Sequence, residues 1–298
     1  MPKKARNISL QRPFVLLIPL VLILALAVTV YVLVIRPRLG RSHPLAYSAA
    51  EIEAMNAGIR SLENEDYDSA IHSFTTVIGS QPRLGPAYNN RGLAHQAKGE
   101  FELAFADFQK AVQLMPEEPT PYNNRGSIYF TQGDFEKAIA DFNQAIERDP
   151  QFAKAYYNRG AVFLSLGDNT GAIAEFDKAI EYTPGITATQ AAPAQPAGSL
   201  LEFADSASQR YANLPLAYAN RGSAYLGNAE YDKAFQDFNK AIALKPDLSM
   251  AYYYRGLAYY SLGEYVKAIP EFTTVISLNN DVELIEMAKT RLTEIGQK

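Results

Sequence analysis

The chain has 298 residues, with 28 Lys and Arg, 32 Asp and Glu, three His and no Cys, a length for one or two domains. Without Cys there are no disulfides, thiolate metal sites or Cys nucleophile, and His43, His72 and His95 are too few for a His-rich metal centre. Residues 1–41 hold seven Lys and Arg and no acid, which leaves 21 basic against 32 acidic residues in the remainder, a net of −11; so acidic a body is a poor match for a phosphate backbone, and nucleic acid is not an expected partner.

Residues 1–12 form a basic arm with Lys3, Lys4, Arg6 and Arg12. Pro13 to Ile35 are 23 residues without a charge. As a helix they would run roughly 34 Å at about 1.5 Å per residue, enough to cross an apolar core of about 30 Å with some tilt. A cleaved signal peptide would have a shorter apolar region, about 7–15 residues, and a small-x-small site after it. Here the run is longer and is closed by Arg36-Pro37-Arg38, so the reading is a single transmembrane helix over 13–35. Pro19 lies near its first turns, where a proline costs least. Four Lys/Arg and the α-amine precede the span and three Arg follow it. The positive-inside rule then sets the N-terminus inside and the body outside the cytoplasm, on a margin of about one charge. Residues 36–50 read as a tether.

Beyond the tether the chain repeats. Arg91-Gly92, Arg125-Gly126 and Arg159-Gly160 are spaced by 34 residues, as are Arg221-Gly222 and Arg255-Gly256. The 62 residues between these sets hold one further period and a 28-residue insertion, Thr187 to Leu214. Counting the glycine as position 8 gives six units: 51–84, 85–118, 119–152, 153–186, 215–248 and 249–282. Position 20 is Ala and position 24 is Phe in all six; position 4 is Tyr and position 32 is Pro in five. This pattern resembles the tetratricopeptide repeat (TPR) family. The resemblance implies an all-α, right-handed solenoid of six helix-turn-helix units, a class that binds peptides or partner domains and does no chemistry.

The residues support that architecture physically. Positions 4, 8 and 11 form one helical stripe, and positions 20, 24 and 27 a second. Gly at 8 and Ala at 20 would let the two helices approach, with the aromatics at 4 and 24 filling the wider end. Gly99, Gly133, Gly167 and Gly263 at position 15 would end the first helix in the left-handed conformation. Pro at 32 closes the second helix. Each hairpin is too small to bury its own face, and stacking gives one continuous core. The end units depart from the pattern, with Ala54, Ser61 and Glu65 in the first and Pro270 and Asn280 in the last, as caps of a solenoid do. The fifth unit has Ala229 at position 15. Residues 283–298 belong to a capping helix whose apolar stripe is Leu284, Ile285, Ala288, Leu292 and Ile295. Within the insertion, T-A-T-Q-A-A-P-A-Q-P-A-G reads as a linker. Ser199 to Leu214 could form a helix burying Leu200, Leu201, Phe203 and Tyr211, either as a surface excursion or as a lid.

Position 7 is Arg in five units and position 23 is acidic in the same five. The pairs are Arg91 with Asp107, Arg125 with Asp141, Arg159 with Glu175, Arg221 with Asp237 and Arg255 with Glu271. The first unit loses both together, with Ala57 and Ser73. Positions 7 and 23 lie close to the antiparallel register, so structural ion pairs are expected, within a unit or across to its neighbour. A ligand anchor is the competing reading.

No nucleophile elbow, phosphate-binding loop, dinucleotide fingerprint or H-E-x-x-H motif is present. No enzyme, metal or cofactor is expected. On a helical wheel, positions 2, 6, 9 and 13 fall opposite the hairpin core, the side that in TPR solenoids lines the concave groove. Position 6 is Asn in five units (Asn56, Asn90, Asn124, Asn158 and Asn220), with Asn89 and Asn123 beside two of them. A carboxamide both donates and accepts, so such a ladder could clamp a peptide backbone, with Tyr157 and Tyr253 supplying pockets. Capping or bridging of neighbouring helices is the other reading of the same residues. The groove positions carry only Lys154 and Glu63 as charges, which suits a weakly charged segment. The expected function is a membrane-anchored scaffold for a protein or peptide partner. The alternative is a non-catalytic assembly subunit of an envelope enzyme complex, or a self-associating element; oligomeric state is not legible.

Overall fold

The structure, a computed structural model, describes residues 47–183 and 207–297. The basic arm, the apolar span 13–35, the tether up to residue 46 and residues 187–206 of the insertion lie outside the described residues. Among the described residues there are thirteen helices and no strand, and none of these helices is long and apolar enough to cross a membrane.

The helices pair in chain order. The first unit is α1 (Ala49–Glu63) and α2 (Tyr67–Ser80), the second α3 (Gly85–Ala97) and α4 (Phe101–Leu114), the third α5 (Pro119–Thr131) and α6 (Phe135–Arg148). The fourth is α7 (Ala153–Ser165) and α8 (Asn169–Tyr182), the fifth α9 (Ala207–Gly227) and α10 (Tyr231–Leu244), the sixth α11 (Ser249–Ser261) and α12 (Tyr265–Leu278). A last helix, α13 (Val282–Gly296), follows.

Local chemistry sets these boundaries. Gly99, Gly133, Gly167 and Gly263 all have φ between 74° and 78° at the turn inside a unit, the region that costs glycine nothing. Glu65 and Ala229 adopt the same conformation, at φ 61° and 57°, without being glycine, a local strain of about 1 kcal/mol each. The side chains of Asp66, Asp134 and Asp168 accept a backbone N–H at the start of α2, α6 and α8, satisfying a donor the helix cannot.

Packing follows a different register from the one the spacing suggests. A Cβ added at the position-8 glycines would lie 2.6–2.9 Å from the ring of the position-24 Phe of the same unit. Gly therefore faces Phe, one turn away from the expected Gly–Ala contact. Ala and Phe at 20 and 24 instead bury position 10 of the following unit: Ala104 and Phe108 with Ile128, Ala138 and Phe142 with Val162, Ala234 and Phe238 with Ala258. The core thus lies largely between units. Of the position-4 tyrosines, Tyr122 is buried with Ala145 and Ala155, and Tyr88, Tyr156, Tyr218 and Tyr252 are half-buried. The hydroxyls of Tyr88, Tyr122, Tyr156 and Tyr252 donate to the carbonyls of Pro82, Pro116, Pro150 and Pro246, closing each inter-unit corner.

The two ends are closed differently. In the first unit positions 3 and 10, buried and apolar elsewhere, are Glu53 and Arg60, an exposed pair at 2.7 Å. At the other end α13 buries Ile285 and Ala288 against Tyr253, Phe272 and Val275. It occupies the place of a seventh unit's first helix.

The insertion boundary is corrected by the structure. α9 begins at Ala207 and runs through Pro215 to Gly227, so the last eight residues of the expected 187–214 segment extend the fifth unit's first helix. Pro215 has no N–H for the intrahelical bond at that point, yet Leu214 and Pro215 are both buried, and packing holds the helix across the gap in the ladder.

Candidate functional site

The first helices of the units carry the expected peptide clamp. Asn89, Asn90, Asn123 and Asn124 are 0–3% exposed, and Tyr253 is 1% exposed. Asn56, Tyr157, Asn158 and Asn220 are half-buried. The amides bond across the stack. Asn124 donates to Asn89 at 2.9 Å and Asn158 to Asn123 at 2.8 Å, while Asn220 donates to the Tyr157 hydroxyl at 3.1 Å. Within units, Asn89 donates to Asn90 and Asn123 to Asn124. The four buried amides are therefore a spine between neighbouring first helices and not an open clamp. A wheel drawn for one hairpin counts a single partner; a stacked first helix also touches the first helices before and after it, and positions 5 and 6 face those neighbours. Each such bond contributes about 1 kcal/mol net, and stranding one buried partner costs about 1–3 kcal/mol.

A second ladder runs along the opposite side of the same helices. Arg91, Arg125, Arg159 and Arg221 each bind their own unit's position-23 carboxylate through two nitrogens, at 2.7–2.9 Å. Arg255 reaches Glu271 through one nitrogen at 2.9 Å. The pairs are intra-unit. The remaining guanidinium nitrogen crosses to position 25 of the preceding unit: Arg91 to Thr75, Arg159 to Asn143, Arg221 to Asp177 and Arg255 to Asn239. Each of these five arginines also lies over the ring of the position-4 Tyr three residues earlier, at 5.4–5.8 Å. Hydrogen bonding to Asp107 and Asp141 holds Arg91 and Arg125 above their usual pKa, against the opposing effect of burial. Burial works against the charge of Arg221, but Asp237 and Asp177 together outweigh it and raise its pKa. These contacts make the arginines structural clips.

What remains open on the first helices is a strip of small, neutral residues. Position 13 is exposed in units 2–6: Ala97, Thr131, Ser165, Gly227 and Ser261. Position 9 is half-buried and includes Leu93, Ser127, Ala161, Ser223 and Leu257. The hydroxyls of Ser127, Thr131, Ser165 and Ser261 donate back to carbonyls four residues earlier, so the strip is apolar in effect. Two features escaped sequence reasoning. The Tyr–Pro corners were legible as a Tyr six residues after a Pro. The contact of His95 Nδ1 with Glu100 at 2.6 Å, continued by Lys98 to Asp68 in the preceding unit at 2.6 Å, had no repeated signal. Among the described residues no cluster of His, Asp and Glu is placed to hold a metal ion.

Family models described as tetratricopeptide repeat match residues 85–118, 153–185 and 249–282, and one described as TPR repeat matches 126–167 and 230–263. No curated protein matches the chain. Among solved structures, the APC/C hetero-tetramer Cut9-Hcn1 aligns at TM-score 0.68 and 19% identity over 81% of this chain, which spans 43% of that one. A structure from the functional characterisation of Pseudomonas aeruginosa pilF aligns at TM-score 0.60 and 15% identity, over 81% of this chain and 97% of that one. At these identities the likeness is one of fold.

Proposed function

Since the chain belongs to the tetratricopeptide-repeat family, we propose that it is a non-catalytic scaffold for protein–protein interaction. Its partner contributes a neutral, weakly charged segment that lies along the strip at positions 9 and 13 of the first helices. The observation that supports this reading is a division of labour. The polar side chains of these helices are engaged in stacking, and the surface they leave is small and uncharged over five successive units. The half-buried Asn158 and Asn220 border this strip in the helical register. The apolar span 13–35 would anchor the scaffold in a membrane, with the acidic body outside the cytoplasm.

The test uses residues 42–298 as bait in detergent extracts. Ala97, Ser165 and Ser261, all exposed, are changed together to Arg. Proteins retained by the unaltered body should be lost by at least tenfold, about 1.4 kcal/mol. A control triple on the second helices (Ala106, Ala140 and Ala174 to Arg) should retain them. Equal retention by both triples would refute the strip as the binding face. Protease added to intact spheroplasts reads the topology: digestion of the body supports the proposed orientation, and protection until lysis reverses it.

A further inference from the structure

The turns inside the units lie along one edge of the stack, and two junctions on that edge can be compared. Between the first and second units position 14 is Lys98, whose ammonium crosses to the position-18 carboxylate of Asp68 at 2.6 Å. Between the third and fourth units the equivalent residues are Leu166 and Glu136. Positions 17 and 21, Tyr67 and Ile71 in the first unit, are Phe135 and Ile139 in the third. An open cleft lies between these two turns, with Phe135, Ile139 and Leu166 as its apolar lining and Asp134 and Glu136 as its carboxylates. Leu166 is 54% exposed. Asp134 is engaged: it caps α6 and holds Lys137 at 2.5 Å, and Lys137 lies over the Tyr129 ring. Glu136 is exposed and makes no ion pair among the described residues. The third-to-fourth junction thus keeps the carboxylate and an apolar lining, and has a leucine where the first junction has its lysine.

We propose that this cleft receives a lysine side chain from a protein partner, with its stem along Phe135, Ile139 and Leu166 and its ammonium on Glu136. The proposal rests on the reading of the chain as a scaffold, though not on the strip at positions 9 and 13. Three observations choose the occupant. Lys98 shows, within the same chain, that an ammonium fits between two such turns and pairs with position 18. The lining suits a side chain that is apolar along its stem and charged at its tip. The body beyond residue 41, with 32 acids against 21 bases, draws a cation and repels an anion. The cleft also adjoins the strip: Thr131 and Ser165, at position 13, directly precede Gln132 and Leu166, which line it. A partner lying along the strip can therefore place one lysine here. An ion pair at an exposed rim is weak, so the site adds register and selectivity more than affinity. Leu262 and Asp232 repeat the leucine and the acid at the last junction, so the contact must be read by signals local to the third and fourth units.

The test uses the full chain in detergent, methyl-labelled at Ile and Leu for nuclear magnetic resonance. The probe is the peptide acetyl-Ala-Ala-Lys-Ala-Ala-amide, compared with the same peptide carrying norleucine in place of lysine. At low salt the methyl signals of Ile139 and Leu166 should shift with the lysine peptide, at an affinity at least about threefold above that of the norleucine peptide. Glu136→Gln should remove that preference with helix content unchanged. Leu166→Lys should supply the ammonium from the chain itself, as Lys98 does at the first junction. It should weaken the lysine peptide at least about threefold with the fold intact. Equal affinity for the two peptides, a preference that survives Glu136→Gln, lysine binding undiminished in Leu166→Lys, or signals unmoved up to about 10 mM peptide would each overturn the proposal. Because the peptide is read at the cleft, these results decide the cleft alone, and the arginine triple decides the strip.

Discussion

Two junctions in the stack are joined by very different lengths of chain. The third and fourth units are connected directly, while the fourth and fifth are separated by the insertion. Both junctions make the same two kinds of contact. At the first, Asn158 reaches Asn123 and Arg159 reaches Asn143. At the second, Asn220 reaches the Tyr157 hydroxyl and Arg221 reaches Asp177 at 2.6 Å. The polar contacts between units are thus carried at both junctions by the first-helix positions 5, 6 and 7. The difference lies in chemistry: the interrupted junction replaces a neutral acceptor by a carboxylate.

That difference can be broken most forcefully at its arginine. Arg221→Met strands the buried Asp237 carboxylate and leaves Asp177 without its ionic partner, and should cost roughly 3 kcal/mol. Arg159→Met strands Glu175 alone and should cost less. Urea midpoints of the two variants check the order, and equal losses would show that Asp177 contributes nothing. Next in size is Asn124→Leu at the uninterrupted second-to-third junction. It leaves the fully buried Asn89 oxygen without its donor, for a loss of about 1–3 kcal/mol. Asn220→Leu removes one longer bond, to the half-buried Tyr157 hydroxyl at 3.1 Å, and should cost about 1 kcal/mol. Ala229→Gly, at the turn of the fifth unit, should stabilise by about 1 kcal/mol by relieving its positive φ; a melting point that does not rise would place the strain elsewhere. The smallest effect is expected from deleting residues 187–206. Because Arg221 and Asn220 hold the junction without that segment, unfolding should stay cooperative and shift by no more than about 1 kcal/mol.

The fold was legible because six copies repeat the same constraints within one chain. The turn glycines and the arginine pairs were readable, and the simultaneous loss of position 7 and position 23 in the first unit pointed to the ion pair without any structure. What one hairpin does not contain was not readable. Positions 5 and 6 look exposed on a wheel with one partner, and only the stack shows that Asn89, Asn90, Asn123 and Asn124 face neighbouring first helices. Pro215 misled for a related reason. A proline usually opens a helix, as Pro119 does, but here the buried Leu214 and Pro215 carry α9 back to Ala207.

The central claim is that the asparagine ladder holds the units to one another. A double-mutant cycle in urea unfolding on Asn89 and Asn124 measures it most directly. The account predicts a coupling free energy of about 1 kcal/mol, with each single substitution to Ala lowering the midpoint. Additive effects with no coupling, or a midpoint unmoved by either substitution, would contradict it and return these amides to the surface as candidates for binding.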